Sequence, residues 1–231
     1  MDTIIYGPVT ETSIATAVQL LIHSPSLPAY VQRFQSLLQT EREKRERFYE
    51  EMSEDQKVEF INGEIVMQSP AKLRHTVASK NLLMLLDAYV QKHGLGFVGH
   101  EKMLITLTRN DYEPDICYFG PEKTQIFTPD QMKFPAPDLA VEILSPSTEA
   151  NDRGIKFVDY AAHGVAEYWI VDPDTEMIEQ YILKGEAYQL RVKTDTGMVR
   201  SIAVEGLAVP VRAVFDEAEK IAAVREILSG E

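Results

Sequence analysis

Apolar residues recur at helical intervals in two long stretches of this 231-residue chain. Between Pro28 and Met52 they predict an amphipathic helix, whose second half is a run of mixed charges. A second helix is expected after Ser69 as N-cap, with Pro70 in its first turn and Gly94 just beyond its end. Its apolar stripe, which predicts packing against a sheet, comprises Leu73, Val77, Leu82, Leu85, Leu86 and Tyr89. The stretch before Pro28 shows no clear pattern and is interpreted as an arm that packs on the domain or on a second subunit.

Alternating apolar and polar residues predict a β-hairpin from Val58 to Met67, because Asn62-Gly63 between two such runs is a strong signal for a two-residue turn. Residues directly opposed across the turn share a face of the hairpin. One face is therefore apolar and consists of Val58, Phe60, Ile65 and Met67. Glu59 and Glu64 lie together on the other face, where exposure to solvent is the favoured interpretation and assistance to a metal site is the alternative.

Shorter apolar runs predict three strands, a helix and a fourth strand after the second helix. The strands are expected at Phe97 to Thr108, after Asp115, at Leu139 to Leu144 and at Glu167 to Asp172, with the helix at Thr148 to His163. Nearly unbroken apolar runs are typical of central strands that are covered on both faces. The strand, helix, strand passage predicts a parallel crossover, and such crossovers are right-handed almost without exception.

The remainder of the chain predicts a second antiparallel region and a last helix. A meander is expected from the runs Met177 to Leu183, Tyr188 to Val192 and Val199 to Val204. An exposed terminal helix is expected from Asp216 to Leu228.

Two carboxylates stand in apolar surroundings and are the first candidates for chemistry. Asp115 opens the run Ile-Cys-Tyr-Phe, and Glu142 lies inside the run from Leu139 to Leu144. A carboxylate is costly to bury unless it is paired, hydrogen-bonded or bound to a cation. A divalent metal would remove that cost, so the sequence indicates a metal site at the end of a sheet.

Basic and aromatic residues close to these carboxylates in the predicted fold extend the candidate site. Asp152, Lys156 and Tyr160 are spaced by four and share one helical face, from which the lysine could reach the end of the Glu142 strand. The alternative is an exposed ion pair between Asp152 and Lys156, which would contribute a few tenths of a kcal/mol. His75, near a helix start, is interpreted either as a structural or exposed residue or as a neutral ring that accepts a proton or binds a metal or phosphate.

Composition narrows the class of protein. The net charge of −13 argues against a broad nucleic-acid surface, because affinity for phosphates comes largely from lysine and arginine. The single cysteine, Cys117, excludes an internal disulfide and fits a reducing compartment. We find no basic amino-terminal region and no apolar run long enough to span a bilayer, so we expect a cytoplasmic protein that does not enter the membrane.

One combination of motifs runs through the predicted core. It comprises Pro114-Asp115, Glu142 within Val-Glu-Ile-Leu-Ser-Pro-Ser-Thr, the helical set Asp152, Lys156 and Tyr160, the run Gly164 to Asp172, the hairpin Glu59 to Glu64, and Arg74-His75. With this combination the chain resembles the restriction endonuclease branch of the PD-(D/E)XK nuclease superfamily, from about Phe48 to beyond Tyr181. Each fragment alone is a weak signal, and the combination is specific.

The resemblance implies an α/β (α+β) protein with the restriction endonuclease-like αβββαβ core, a central mixed sheet, an N-terminal hairpin and a C-terminal antiparallel extension. It implies that Asp115, Glu142 and the backbone carbonyl of Ile143 hold Mg²⁺ or Mn²⁺. The chain departs from the superfamily pattern at Leu144, where a lysine is usual. Lys156 on the following helix is the expected replacement.

The leading hypothesis is a metal-dependent DNA endonuclease with Asp115, Glu142 and Lys156 as catalytic residues. Asp152 and Tyr160 would position Lys156, and Glu59 or Glu64 would bind a second metal or hold a water molecule. The other hypothesis is a non-catalytic interaction or dimerisation protein that keeps the nuclease scaffold. A homodimer is expected, because nucleases that cut both strands commonly pair two sites. The predicted domains are a mainly helical extension at 1–47, the nuclease domain at 48–215 and a helix at 216–231.

Overall fold

The computed structural model describes residues 11–53 and 56–230. By their internal contacts the residues divide into two units, which are described separately. One unit comprises Met1–Met52 with Asn62–Glu64, and the other comprises Ser53–Ile61 with Ile65–Glu231.

The first unit contains two helices, α1 (Glu11–Ile22) and α2 (Leu27–Glu51). Helix α2 confirms the helix predicted from Pro28 to Met52. Pro28 lies in its first turn, where the missing N–H of proline costs no hydrogen bond. Helix α1 lies in the stretch for which the sequence pattern predicted no element. Residues 1–10, the beginning of the expected arm, lie outside the described part of the chain.

Fifteen further elements lie between α2 and residue 194 in the described part of the chain. They are β1 (Val58–Ile61), β2 (Glu64–Met67), α3 (Leu73–His93), β3 (Phe97–His100), β4 (Leu104–Thr106), β5 (Asp111–Tyr112), β6 (Ile116–Phe119), α4 (Pro121–Thr124), β7 (Lys133–Phe134), β8 (Leu139–Ile143), α5 (Glu149–Asp152), α6 (Ile155–Ala162), β9 (Glu167–Asp172), β10 (Met177–Lys184) and β11 (Ala187–Thr194). The chain continues with β12 (Met198–Arg200), β13 (Ala208–Pro210), α7 (Val211–Phe215) and α8 (Glu217–Ser229).

A six-stranded mixed sheet, in the order β11-β10-β9-β8-β6-β3, carries the core. Strands β3, β6 and β8 are antiparallel neighbours, and β9 runs parallel to β8 after the crossover through α6. The succession α3, β3, β6, β8, α6, β9 is the expected αβββαβ core. Strands β10 and β11 add the expected antiparallel extension. The predicted fold class is therefore confirmed.

The two faces of this sheet bury separate apolar clusters. Helices α3, α7 and α8 cover one face, where Leu82, Leu85 and Leu86 pack around Trp169. Helix α6 covers the other face and contributes Tyr160 and Ala161. The prediction of an exposed last helix was wrong in part, because Ala223 of α8 is buried in the first cluster.

A second, five-stranded sheet has the order β2-β1-β5-β4-β7. The predicted hairpin forms its edge, and Asn62 and Gly63 have φ of 52° and 83°, as a turn of this kind requires. The predicted faces were wrong: Ile65 and Met67 are more than half exposed, whereas Glu59 is buried. The reason is that β1 lies inside the sheet with all four residues buried, whereas β2 is an edge strand.

Three predicted elements also differ from the structure in their bounds or their pairing. The run from Phe97 to Thr108 is divided between the two sheets, because Glu101 and Lys102 take positive φ and redirect the chain. The third strand of the meander pairs with β13 in a two-stranded sheet of its own. Helix α3 begins at Leu73, after an extended Lys72, so Leu73 is exposed and not buried in the stripe.

The predicted helix from Thr148 to His163 is interrupted between α5 and α6 at Gly154. A side chain there would meet the carbonyl oxygen of Ala150, since an added Cβ would lie 2.5 Å from it. The break is therefore built around a residue without a side chain, and it sets the start of the helix that carries Lys156.

Candidate active site

The pairing of two central strands brings the predicted carboxylates together. Strands β6 and β8 are antiparallel with Ile116 opposite Val141, so the next position of the register places Asp115 opposite Glu142. Opposed residues on paired strands share a face of the sheet. The Ile143 amide donates a hydrogen bond of 2.8 Å to Asp115 Oδ2, which fixes this carboxylate at the end of the strand pair.

Lys156 lies beside Glu142, buried at the start of α6. Its Nζ is 2.8 Å from Glu59 Oε1 and 3.1 Å from Asp152 Oδ1. It also donates a hydrogen bond of 3.2 Å to Glu142 Oε1, and Tyr160 donates a second one of 3.4 Å to the same oxygen. The Asp152 contact has an ion-pair distance without hydrogen-bond alignment. The structure thus contradicts the alternative of an exposed pair between Asp152 and Lys156, since both side chains are 1% exposed.

Three carboxylates around one ammonium make this part of the molecule short of positive charge. Burial raises the pKa of Glu142 well above its ordinary value, although Lys156 opposes the shift. Burial likewise raises the pKa of Asp152. Burial alone would lower the pKa of Lys156, but Asp152, Glu142 and Glu59 outweigh it and raise that pKa. The lysine is therefore held as a cation, whereas Glu142 and Asp152 bind a proton more readily than exposed carboxylates do.

Asp115 has its own set of partners. Lys57 Nζ donates a hydrogen bond of 2.7 Å to Asp115 Oδ1, and His75 Nε2 lies 3.4 Å from Oδ2. Burial would raise the pKa of Asp115, but the hydrogen bond from His75 and the charge of Lys57 outweigh it and keep the pKa below its usual range. Asp115 is thus an anion, and the first turn of α3 supplies a ring that contacts it.

Lys57 is the residue that sequence reasoning missed. It precedes β1, two positions before Glu59, and alternate residues of an extended segment point to the same side. Glu59 also accepts a hydrogen bond of 3.0 Å from the amide of Glu113, just before Asp115. A lysine two residues before a buried glutamate was the available signal. It was not used because Glu59 was assigned to the exposed face of the hairpin.

The predicted site residues therefore fall into two groups. Most of them contact one another or common partners: Asp115, Glu142, Lys156, Glu59, His75, Asp152, Tyr160 and the backbone of Ile143. Glu64 lies outside this group. Its side chain is three-quarters exposed and forms an ion pair of 2.7 Å with Lys44.

A cavity of about 590 Å³ opens onto these residues. Its lining includes Lys57, His75, Asp115, Glu142 and Lys156, together with the loop that follows β8. Buried charges that face such a cavity are typical of functional sites. The chain therefore offers a concave site with two neighbouring carboxylates, a ring nitrogen and two ammonium groups.

The chemistry of the oxygen donors fits a hard divalent cation. Mg²⁺ takes oxygen ligands, is usually held by one or two carboxylates and keeps several waters. Asp115 and Glu142 supply two such carboxylates, and burial disfavours the anionic form of Glu142 unless a cation lies beside it. Among residues 11–53 and 56–230, no group of three or more His, Cys, Asp or Glu side chains is arranged to hold a metal ion. A cation here would have to displace lysine contacts from one or both acids.

The chain belongs to the Uma2 family, described as "Putative restriction endonuclease", whose model matches residues 43–212. Family membership and fold together support a nuclease, as the motifs indicated. Within the described part of the chain, no helix is long and apolar enough to cross a membrane.

Two similar proteins come from Synechocystis sp. (strain ATCC 27184 / PCC 6803 / Kazusa), and both are described as uncharacterised. One is 31% identical over 169 residues, which cover 70% of this chain and 80% of the relative. The other is 28% identical over 133 residues, which cover 57% of this chain and 75% of the relative.

A crystal structure from Anabaena variabilis ATCC 29413, described as "a putative nuclease belonging to DUF820", has a similar fold. The TM-score is 0.62 at 17% identity, and the match covers 75% of this chain and 96% of the other. At this identity the likeness concerns the fold alone, and it agrees with the αβββαβ core seen here.

Proposed function

We propose that the protein is a metal-dependent endonuclease that hydrolyses phosphodiester bonds in DNA. The observation that carries the proposal is the β6–β8 register, which sets Asp115 opposite Glu142 at a cavity, with the Lys156 ammonium 3.2 Å from Glu142. Two carboxylates and one ammonium at the same cavity can act together on a single phosphodiester bond. The proposed nuclease domain spans residues 48–215, between an extension at 1–47 and a helix at 216–231.

Asp115 and Glu142 are the proposed ligands of Mg²⁺ or Mn²⁺, with the carbonyl of Ile143 as a further oxygen donor. When bound, a divalent ion lowers the pKa of a coordinated water and neutralises charge that develops on the phosphate. The Ile143 amide holds Asp115 in place through its 2.8 Å hydrogen bond. Tyr160 does the same for Glu142, and Glu59 is within 2.8 Å of the lysine that would have to orient the nucleophile.

Lys156 is the proposed replacement for the strand lysine that Leu144 excludes. Its pKa is raised by the acids around it, so it remains a cation at neutral pH and can stabilise negative charge in the transition state. Asp152 precedes Lys156 by four residues, and its Oδ1 lies 3.1 Å from Lys156 Nζ. We therefore propose that Asp152 positions the ammonium group. Such support of a reacting group by surrounding polar contacts is common in metal sites.

The charge around the cavity is compatible with a phosphate ligand despite the acidic chain. Lysine and arginine contribute five of the lining residues and aspartate and glutamate four, in a protein with a net charge of −13. Among the cations are Lys72, Arg74 and Lys102. Because phosphate affinity depends on local lysine and arginine, this balance favours a confined contact with nucleic acid over a broad surface.

Cleavage of supercoiled plasmid DNA tests the proposal. Wild-type protein should nick or linearise the plasmid with Mg²⁺ or Mn²⁺ and should be inactive in EDTA. Asp115→Asn and Glu142→Gln should each reduce the rate at least about 100-fold, because each removes a charged ligand. Glu64→Gln is the matched control and should cleave like wild type, since Glu64 is exposed and paired with Lys44. Equal activity of all four proteins, or activity in EDTA, would contradict the proposed site.

A second candidate function is binding without catalysis on the same scaffold. It is favoured by one observation: Asp115 and Glu142 already have ammonium partners, Lys57 and Lys156. Calorimetric titration with Mn²⁺ separates the two functions. Heat of binding in the wild type that is lost in Glu142→Gln favours the nuclease, whereas no heat in either protein favours the binding scaffold.

We also propose that the protein is cytoplasmic and forms a homodimer.

A further inference from the structure

Helices α1 and α2 expose an unusual amount of apolar surface. Nine large side chains on them are between 38% and 71% exposed: Ile14, Val18, Leu20, Ile22, Tyr30, Val31, Phe34, Leu37 and Leu38. Five of them lie between Tyr30 and Leu38, at spacings that place them on one side of α2. Isolated apolar residues are normal on protein surfaces, but five on one side of α2, with four more on the contacting helix α1, indicate an interaction site.

The charge of α2 sets this region apart from the rest of the chain. The helix contains five basic and five acidic residues, so it is neutral in a protein with a net charge of −13. The basic residues are Arg33, Arg42, Lys44, Arg45 and Arg47, and the acidic ones are Glu41, Glu43, Glu46, Glu50 and Glu51. Two copies of the chain repel each other least where their surfaces carry no net charge.

We propose that the nine exposed apolar residues of α1 and α2 form a dimerisation surface that binds the same surface of a second copy. With about half of each side chain exposed and roughly 100 Å² of apolar surface per side chain, the nine residues offer on the order of 450 Å² of apolar surface per protomer. A standard stable interface buries about 800 Å² per partner. About 56–65% of such an interface is non-polar, so the nine side chains supply roughly the apolar area that a specific dimer of this size needs.

The same observations disfavour other occupants. A nucleic-acid partner needs an excess of lysine and arginine, which α2 does not have. A helix that lies on a membrane is favoured by a strongly basic polar face and attraction to anionic lipids, and this chain is acidic. A symmetric dimer needs only self-complementarity, and a two-fold axis near Phe34 would pack apolar side chains on their own symmetry mates.

Sedimentation equilibrium of the full chain between about 1 and 50 µM tests the proposal. Wild-type protein should have twice the chain mass of 26.1 kDa at the upper concentrations. Phe34→Glu combined with Leu38→Glu should raise the dissociation constant at least about 30-fold, the effect expected from loss of a central hot spot. Both side chains are more than 40% exposed, so the monomer should stay folded, as circular dichroism can verify.

Ser36→Glu is the matched control, because Ser36 lies on the opposite side of α2 from Phe34 and is also exposed. It should dimerise like wild type. A wild type that is monomeric at 50 µM would overturn the proposal, as would a double variant that still forms the dimer. Binding of monomeric wild type to anionic phosphatidylserine vesicles, lost in the double variant, would assign the surface to a membrane and would also overturn it. None of these outcomes depends on whether the protein cuts DNA.

Discussion

Replacement of Lys156 by methionine removes the one ammonium that three buried carboxylates share. Methionine keeps an unbranched side chain of similar length, so the change is chiefly one of charge. Nζ lies within 3.2 Å of Glu59, Asp152 and Glu142, and the lysine is 0% exposed. Without it, the acids must either remain as unpaired buried anions or bind protons.

Loss of one partner from a buried pair costs about 3–5 kcal/mol, because it leaves an uncompensated charge. Since domains of this kind are stable by roughly 5–15 kcal/mol, Lys156→Met should lose a large fraction of its free energy of unfolding at pH 7.5. The loss should be smaller at pH 5.5. Unpaired buried acids have folded pKa values above their unfolded ones, so they destabilise the fold as the pH rises through that range.

Urea unfolding at the two pH values measures both effects. Lys193→Met is the control: Lys193 is half-exposed and pairs with Glu179 at 2.9 Å, so its loss should cost at most about 1 kcal/mol. Mn²⁺ at 100 times its dissociation constant should return about 2.7 kcal/mol to Lys156→Met if the freed acids bind the ion. Equal losses in the two variants at pH 7.5, without pH dependence, would refute the argument that Lys156 balances buried charge.

Three further predictions concern neighbouring parts of the molecule. Lys57→Met should raise the affinity for Mn²⁺ about tenfold, because the ion no longer competes with an ammonium 2.7 Å from Asp115. Calorimetry measures the affinity, and weaker binding by the variant would contradict the prediction. The pKa of Glu179 is lowered to about 2, since the hydrogen bond from Arg153 outweighs burial. This carboxylate should therefore stabilise the fold by on the order of 1–2 kcal/mol above pH 4.5, and the advantage over Glu179→Gln should disappear as the pH falls towards 2 in urea titrations. Gly154→Ala should lower the free energy of unfolding by about 1–3 kcal/mol and slow cleavage, because the added Cβ would lie 2.5 Å from the carbonyl oxygen of Ala150. Unchanged stability in urea unfolding and an unchanged cleavage rate would contradict this prediction.

The sequence predicted the central sheet well because its strands have a local signature. The runs around Cys117 and Val141 are nearly unbroken apolar stretches, as expected of strands buried on both faces, and both strands are buried throughout. Asp115 precedes the first run and Glu142 lies within the second, and the resemblance to the nuclease superfamily implied that the two carboxylates share one site. Whether they bind a metal stays a prediction.

The sequence was least informative where burial depends on distant segments. Glu59 and Glu64 have the same alternating context, but β1 becomes an inner strand and β2 an edge strand, because β5 pairs with β1. That pairing joins residues about 50 positions apart, with Phe60 opposite Asp111, and leaves no trace in the local pattern. The role of Lys57 could not be predicted for the same reason.

The lysine of this site stands on α6, whereas its carboxylate partner Glu142 stands on β8, and the two are joined by the loop and short helix of residues 144–154. Insertions or deletions in that connection would therefore shift the ammonium along or away from the acid and leave the ladder between β6 and β8 unchanged. When lysine and carboxylate share one strand, their spacing is fixed by the backbone repeat. In this chain the distance between them is instead open to adjustment, by evolution or by design, through the length of a surface connection.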